Sequence, residues 1–135
     1  MRLFTTRDMA ILDTSFLIAF LNSRDSRHEE ALKLFNEIKE KKLVITDYIL
    51  DEFLTYIRKV VPWLAVDLGG KVMEIFDILK INEDDIKNGW DIFKKYDKLS
   101  FTDSVTVSVM KRLKIKRIIT FDSQLEIASK SEIKG

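Results

Sequence analysis

The chain has 135 residues, 46% of them hydrophobic, which is enough for one domain with its own core and too few for two. Lys+Arg number 23 and Asp+Glu 22, so net charge cannot drive nucleic-acid binding, and any such binding has to come from a local patch. With no cysteine and a single histidine, His28, the chain excludes disulfides, cysteine nucleophiles and thiolate or paired-histidine zinc sites; a bound metal must be held by oxygen, which favours Mg²⁺ or Mn²⁺.

Short apolar runs alternate with amphipathic stretches, the pattern of strands and helices alternating around a parallel sheet. Met9-Ala-Ile-Leu-Asp13 predicts a buried strand ended by an acid. The apolar run from Met9 to Leu21 is interrupted by Asp13, is followed by no small-residue cleavage site, and at 13 residues is too short to span a membrane; a cytoplasmic protein is expected. A single domain over 1–135 is expected, with 1–8 either a flexible tail or a stretch ahead of a natural start at Met9. Ser26-Arg-His-Glu29 predicts a capping box opening a helix with Ala31, Phe35 and Ile38 on one face. Leu43–Thr46 reads as the second strand, and a helix from about Tyr48 carries Ile49, Phe53, Tyr56, Ile57 and Val60 as its stripe until Pro62 stops it. Trp63–Leu79 reads as helical despite Gly69-Gly70, and 78–82 as a third strand. Asn82-Glu-Asp-Asp85 caps a further helix with Ile86, Trp90, Phe93 and Tyr96 aligned. Ser104–Met110 holds no charge and predicts a fully buried helix, and Arg117–Phe121 a fourth strand, again followed by an acid, Asp122.

Parallel α/β sheets bind ligands at the carboxyl ends of their strands. Asp13 and Asp122 each follow a strand, and Asp103 opens the buried helix that leads into the last one. Glu52 lies three residues after Ile49 and four before Tyr56, at the border of the apolar stripe, whereas Asp51 faces the opposite side. Each acid taken singly has an ordinary reading as a turn residue, a cap or a surface group: Ser100-Phe-Thr-Asp103 is itself a capping box. Four carboxylates at one edge repel one another unless a divalent cation neutralises them, so their convergence would predict an oxygen-ligand metal site.

Taken together, Ile11-Leu-Asp-Thr-Ser-Phe-Leu17, Asp47-Tyr-Ile-Leu-Asp-Glu-Phe53, Tyr96-Asp-Lys-Leu-Ser-Phe-Thr-Asp103 and Ile119-Thr-Phe-Asp122 resemble the PIN domain, and within it the VapC-type toxins of prokaryotic toxin–antitoxin pairs. The four acids fall in order, 39, 51 and 19 residues apart, and the resemblance runs from Met9 to about Ile127. It implies a three-layer α/β/α fold around a parallel sheet of four to five strands, and an acidic pocket binding one or two Mg²⁺ or Mn²⁺ ions for endonucleolytic cleavage of RNA. It implies Asp13 and Asp103 as principal metal ligands, with Glu52 and Asp122 completing the cluster directly or through water. Thr14 and Thr102, beside two of the acids, are expected to orient carboxylates or water, or simply to cap. Ser123–Gly135 is shorter and more polar than the family's usual tail, which puts a fifth strand in question.

Lys111, Arg112, Lys114 and Lys116, in a run with five cations in seven residues, either complement a helix C-terminus or touch RNA phosphates. His28 reads as structural rather than catalytic. The apolar stretch Leu54–Leu68 is core by default; in VapC-like proteins the corresponding helices serve a VapB-like antitoxin and a homodimer. The expected function is therefore a toxin ribonuclease restrained by an antitoxin. The alternatives are a PIN-domain nuclease acting in RNA processing or on DNA, and a non-catalytic PIN-like binding module.

Overall fold

The computed structural model describes residues 8–133, so the expected tail over 1–8 lies, apart from Asp8, outside the described residues. Strands β1 (Met9–Leu12), β2 (Lys42–Thr46), β3 (Asp77–Leu79) and β4 (Ile118–Ile119) form one sheet in the order β3-β2-β1-β4, with every pairing parallel. Ile11 is the central register point: it faces Val44 of β2 on one side and Ile118 of β4 on the other. Three of the four β1 residues are wholly buried, as a strand covered on both faces requires. The chain steps outward from β1 to β3 and then returns past β1 to β4, so its direction of winding reverses beside β1. Right-handed crossovers place the connections before and after that reversal on opposite faces of the sheet.

The first set of connections comprises α1 (Thr14–Leu21), α2 (His28–Ile38), α3 (Asp47–Val60), a 3₁₀ turn (Pro62–Leu64) and α4 (Ala65–Ile75). The second comprises α5 (Glu83–Lys95) and α6 (Phe101–Leu113), and α7 (Ser123–Glu132) follows β4. The larger core joins the sheet to α1–α4 around Phe16 and Phe53, each wholly buried and each contributing about 2–3 kcal/mol. A smaller one joins Ile92, Leu99, Val107, Leu125 and Ala128 of the α5–α7 layer. Four strands and seven α-helices are present among the described residues; after Asp122 the chain forms α7 rather than a fifth strand. Among those residues no helix is long and apolar enough to cross a membrane.

Several elements depart from the expectations. Helix α1 has no counterpart among them, because its sequence is apolar nearly all round and carries no periodic stripe. The Ser26–Glu29 capping box does not form: α2 starts at His28 behind Arg27, whose side chain makes no capping bond, and the His28 Nδ1 instead lies 2.8 Å from the Ala19 carbonyl oxygen. Pro62 ends α3 as expected, but Tyr56 and Val60 of its predicted stripe are exposed. Gly69 sits inside α4 because a Cβ there would come within 2.6 Å of Leu54 Cδ2; the glycine lets α3 and α4 approach.

Helix α5 has the predicted Asn82/Asp85 capping box but a different inner face. Ile86 and Trp90 are exposed, and Asp85, Gly89 and Ile92 are buried instead. Two contacts set this phase. Asp85 receives a two-pronged ion pair from Arg112 (2.7 and 2.9 Å), and a Cβ on Gly89 would stand 2.8 Å from Val105 Cγ2 and 3.1 Å from Val105 Cα. Helix α6 is buried without a break from Ser104 to Met110, as its uncharged sequence predicted.

Candidate active site

The winding reverses between β1 and β4, and the carboxyl ends of the strands at such a point are the place where open α/β sheets bind ligands. Asp13 stands there as the N-cap of α1. Its extended backbone (φ −89°, ψ 175°) ends β1, and its Oδ1 accepts the Phe16 amide at 3.1 Å, one of the free donors of the first turn. Two hydroxyls complete its shell: Ser15 Oγ donates to Oδ1 at 2.8 Å and Thr120 Oγ1 donates to Oδ2 at 2.7 Å. Thr120 also accepts the Asp122 amide at 2.9 Å, and Ser15 accepts the Phe121 amide at 3.1 Å. The chain after β4 is thus fastened to the chain after β1 by two hydroxyl side chains. Asp122 caps α7, accepting the amides of Gln124 (2.9 Å) and Leu125 (3.3 Å).

Asp103 enters from the other layer. It is the third residue of α6, where its carboxylate accepts the Ser100 amide at 3.2 Å while Ser100 Oγ accepts the Asp103 amide at 3.0 Å. This reciprocal box fixes its direction. The ring of Phe101 lies 6.5 Å from that of Tyr48, at the start of α3, so α6 begins at the same edge of the sheet.

Electrostatics unite the three aspartates. Burial pushes the Asp13 carboxyl above the usual range; the hydrogen bonds from Thr120, Ser15 and Phe16 pull the other way, and the Asp122 charge adds to the rise. Burial also pushes Asp103 up, to about 6, with the Asp13 and Asp122 charges adding to the effect against the Ser100 bonds. A carboxylate group raised by burial and like charge has a high affinity for a proton or for a cation.

Glu52 lies half-buried on α3 and Asp51 is exposed, in the order that helical phase predicted. Glu52 makes no hydrogen bond or ion pair among the described residues, however, and among them no group of three or more acidic or histidine side chains is closed up ready to hold a metal. The structure therefore brings together Asp13, Asp103 and Asp122 and leaves Glu52 outside the contacts. The donor set still fits a hard cation: it is all oxygen, its charges strain against one another, and Mg²⁺ commonly keeps several waters while taking only one or two carboxylates. The Thr14 hydroxyl, next to Asp13, is buried without a partner among the described residues.

The hydroxyls that hold Asp13 are Ser15 and Thr120, not Thr14, and Thr102 contributes to α6 through its carbonyl, which accepts the Thr106 hydroxyl at 2.8 Å. Of the basic run, Arg112 is committed to Asp85, and Lys111 donates to Glu132 at 3.1 Å. Burial pushes Glu132 up, but bonds from Lys95, Tyr96 and Lys111 outweigh it and hold the group down at about 2. Lys114 ends α6 in the left-handed conformation (φ 58°). Lys111 is eight residues, or about 12 Å, along α6 from Asp103, so Lys111 and Arg112 lie at the helix C-terminus and complement its dipole. Lys116 follows it in the connection to β4.

A family model for the PIN domain matches residues 10–130. The chain belongs to the PIN domain family. Solved structures share the fold of this PIN domain at low identity. The VapC20 toxin of Mycobacterium tuberculosis, described as cleaving the sarcin–ricin loop, is 21% identical, covering 88% of this chain and 94% of that one, with a TM-score of 0.79. A Pyrobaculum aerophilum protein is 19% identical over 90% of this chain and 80% of its own, with a TM-score of 0.67. VapBC2 from Rickettsia felis, bound to a DNA fragment from their promoter, gives 11% identity, 84% and 99% coverage and a TM-score of 0.59. Among curated proteins no sequence matches.

Proposed function

We propose that this PIN domain is an endoribonuclease dependent on Mg²⁺ or Mn²⁺, and the toxin of a toxin–antitoxin pair. The observation that carries the reading is that partly buried Asp103 carries the Asp13 and Asp122 charges, and buried Asp13 the Asp122 charge, at the switch point of the sheet, where a cation would relieve the repulsion. Asp13 and Asp103 are the principal ligands in this reading, Asp122 supports them, and Glu52 joins from α3 directly or through water. A bound divalent ion supplies an activated water near neutral pH and neutralises charge on the phosphate. The chain's own residues do the positioning. Ser15 and Thr120 fix both oxygens of Asp13, the Ser100 box aims Asp103, and the Asp122 amide holds Thr120 in turn. Preorganised groups of this kind do not have to reorient as charge develops.

The antitoxin and a homodimer fit a face that the fold leaves uncovered. Val60, Trp63 and Val66, spanning α3 to α4, are exposed, with Trp63 at 65% and Val66 at 77%. The toxin named among the structural neighbours makes RNA the substrate to try first. Labelled RNA is incubated with the purified protein and Mg²⁺ or Mn²⁺, alongside Asp13→Asn and Asp103→Asn. Cleavage should vanish with EDTA and fall on the order of 10²-fold or more in each variant with folding retained. Equal cleavage by all three proteins would refute the proposed site.

A further inference from the structure

Beside the acids lies a cavity of about 360 Å³ that the aspartate cluster does not use. Its lining includes Ser15, Asp25, Arg27, Tyr56 and Phe121, from α1, the α1–α2 connection, α3 and the segment after β4. It is continuous with the site through two residues already described: Ser15 donates to Asp13, and Phe121 lies between Thr120 and Asp122 with its amide on Ser15. Arg27 holds its guanidinium carbon 5.0 Å from the centre of the Phe121 ring and makes no ion pair among the described residues. The Asp25 carboxylate, by contrast, is occupied in shaping the loop, accepting the Arg27 amide at 2.8 Å.

We infer that this cavity is the subsite for the nucleotide flanking the scissile phosphodiester, with Arg27 on its phosphate and its base against the Tyr56 ring. The inference rests on the ribonuclease reading. Three clustered carboxylates repel RNA, and Lys111 and Arg112 are at the other end of α6, each paired with an acid. Arg27, without an ion-pair partner among the described residues, shares the cavity lining with Ser15 and Phe121. The Phe121 face restricts its flexible side chain without neutralising it, and its planar fork suits a phosphate. Tyr56, 40% exposed, offers a ring to a base, a contact that tolerates any sequence. The size of the cavity falls within the range of small-ligand pockets, about 300–1,000 Å³.

The test is steady-state cleavage of a labelled, unstructured RNA of mixed sequence over a range of salt concentrations. Arg27→Ala should raise KM on the order of 10-fold, leave kcat within about twofold, and flatten the dependence of log KM on log salt by about one phosphate contact. Arg27→Lys should keep the salt slope. Arg24→Ala removes a neighbouring exposed cation, held 5.6 Å from the Trp63 ring, and should leave KM unchanged. Once the cleavage position is mapped, an abasic nucleotide placed beside it, on each side in turn, should raise KM for the wild type on one side and not for Tyr56→Ala. Arg27 is exposed, so melting curves should coincide. If the wild type cleaves and Arg27→Ala matches it in KM and slope, the subsite is overturned and the nuclease reading stands. If the wild type cleaves no RNA under any metal, the functional reading falls and takes the subsite with it.

Discussion

Asp103 is a residue whose replacement by asparagine should stabilise the protein while lowering the proposed RNA cleavage on the order of 10²-fold or more. Folding lifts its carboxyl from the ordinary 3.8 to about 6, chiefly through burial. The folded chain therefore holds a proton that the unfolded chain has released between about pH 4 and 6, and stability falls as pH rises through that window. At full weight the difference corresponds to about 3 kcal/mol at pH 7. Because Asp103 is only partly buried, solvent screening halves this to about 1.5 kcal/mol. Asparagine keeps the acceptor for the Ser100 amide but forgoes about 0.5 kcal/mol of favourable charge at the α6 N-terminus. Asp103→Asn should thus gain about 1 kcal/mol at pH 7, or about 3–4 °C in Tm for a chain of this size, when measured without divalent ions. Melting curves in EDTA at pH 4 and pH 7 provide the assay. The gain should disappear at pH 4, where the wild-type group is protonated, and Mn²⁺ should raise the Tm of the wild type at pH 7 but not that of the variant. A variant less stable than wild type at pH 7, or equally more stable at both pH values, would refute the reasoning.

Other changes probe the frame around the site. Thr120→Val keeps the shape but removes the donor to Asp13 and leaves the Asp122 amide without its acceptor; urea denaturation should show a loss of about 1–2 kcal/mol, and RNA cleavage should fall about tenfold. Gly89→Ala has a helix-propensity gain of about 1 kcal/mol set against a 2.8 Å clash with Val105, and the net should be a loss of about 1–2 kcal/mol by chemical denaturation. Arg112→Ala strands the buried Asp85 carboxylate, so stability should drop by about 3 kcal/mol, while the salt dependence of RNA cleavage measured below the melting range should not change.

The sequence by itself determined the alternation of strands and helices, the parallel sheet, and the placing of three aspartates at element starts whose charges bear on one another. Asp13 directly follows a strand and Asp122 comes just beyond one; Asp103 is in the capping box that opens a helix with no charge from Ser104 to Met110. These are local signals, carried by residues a few positions apart. Helical phase also ordered Glu52 against Asp51 correctly by burial, although it could not say whether Glu52 reaches the others. Tertiary structure alone decided the rest. The inner face of α5 is Asp85, Gly89 and Ile92 because α6 brings Arg112 and Val105 against it, contacts that outweigh the burial of Ile86 and Trp90. The same pairing commits the Arg112 guanidinium to Asp85. The hydroxyls on Asp13 come from Ser15 and from Thr120, 107 residues further along the chain. No spacing rule reaches that far: Thr120 meets Asp13 only because the chain reverses its winding and lays β4 beside β1. Hydrophobic pattern fixes which elements form, and their packing fixes which polar groups meet.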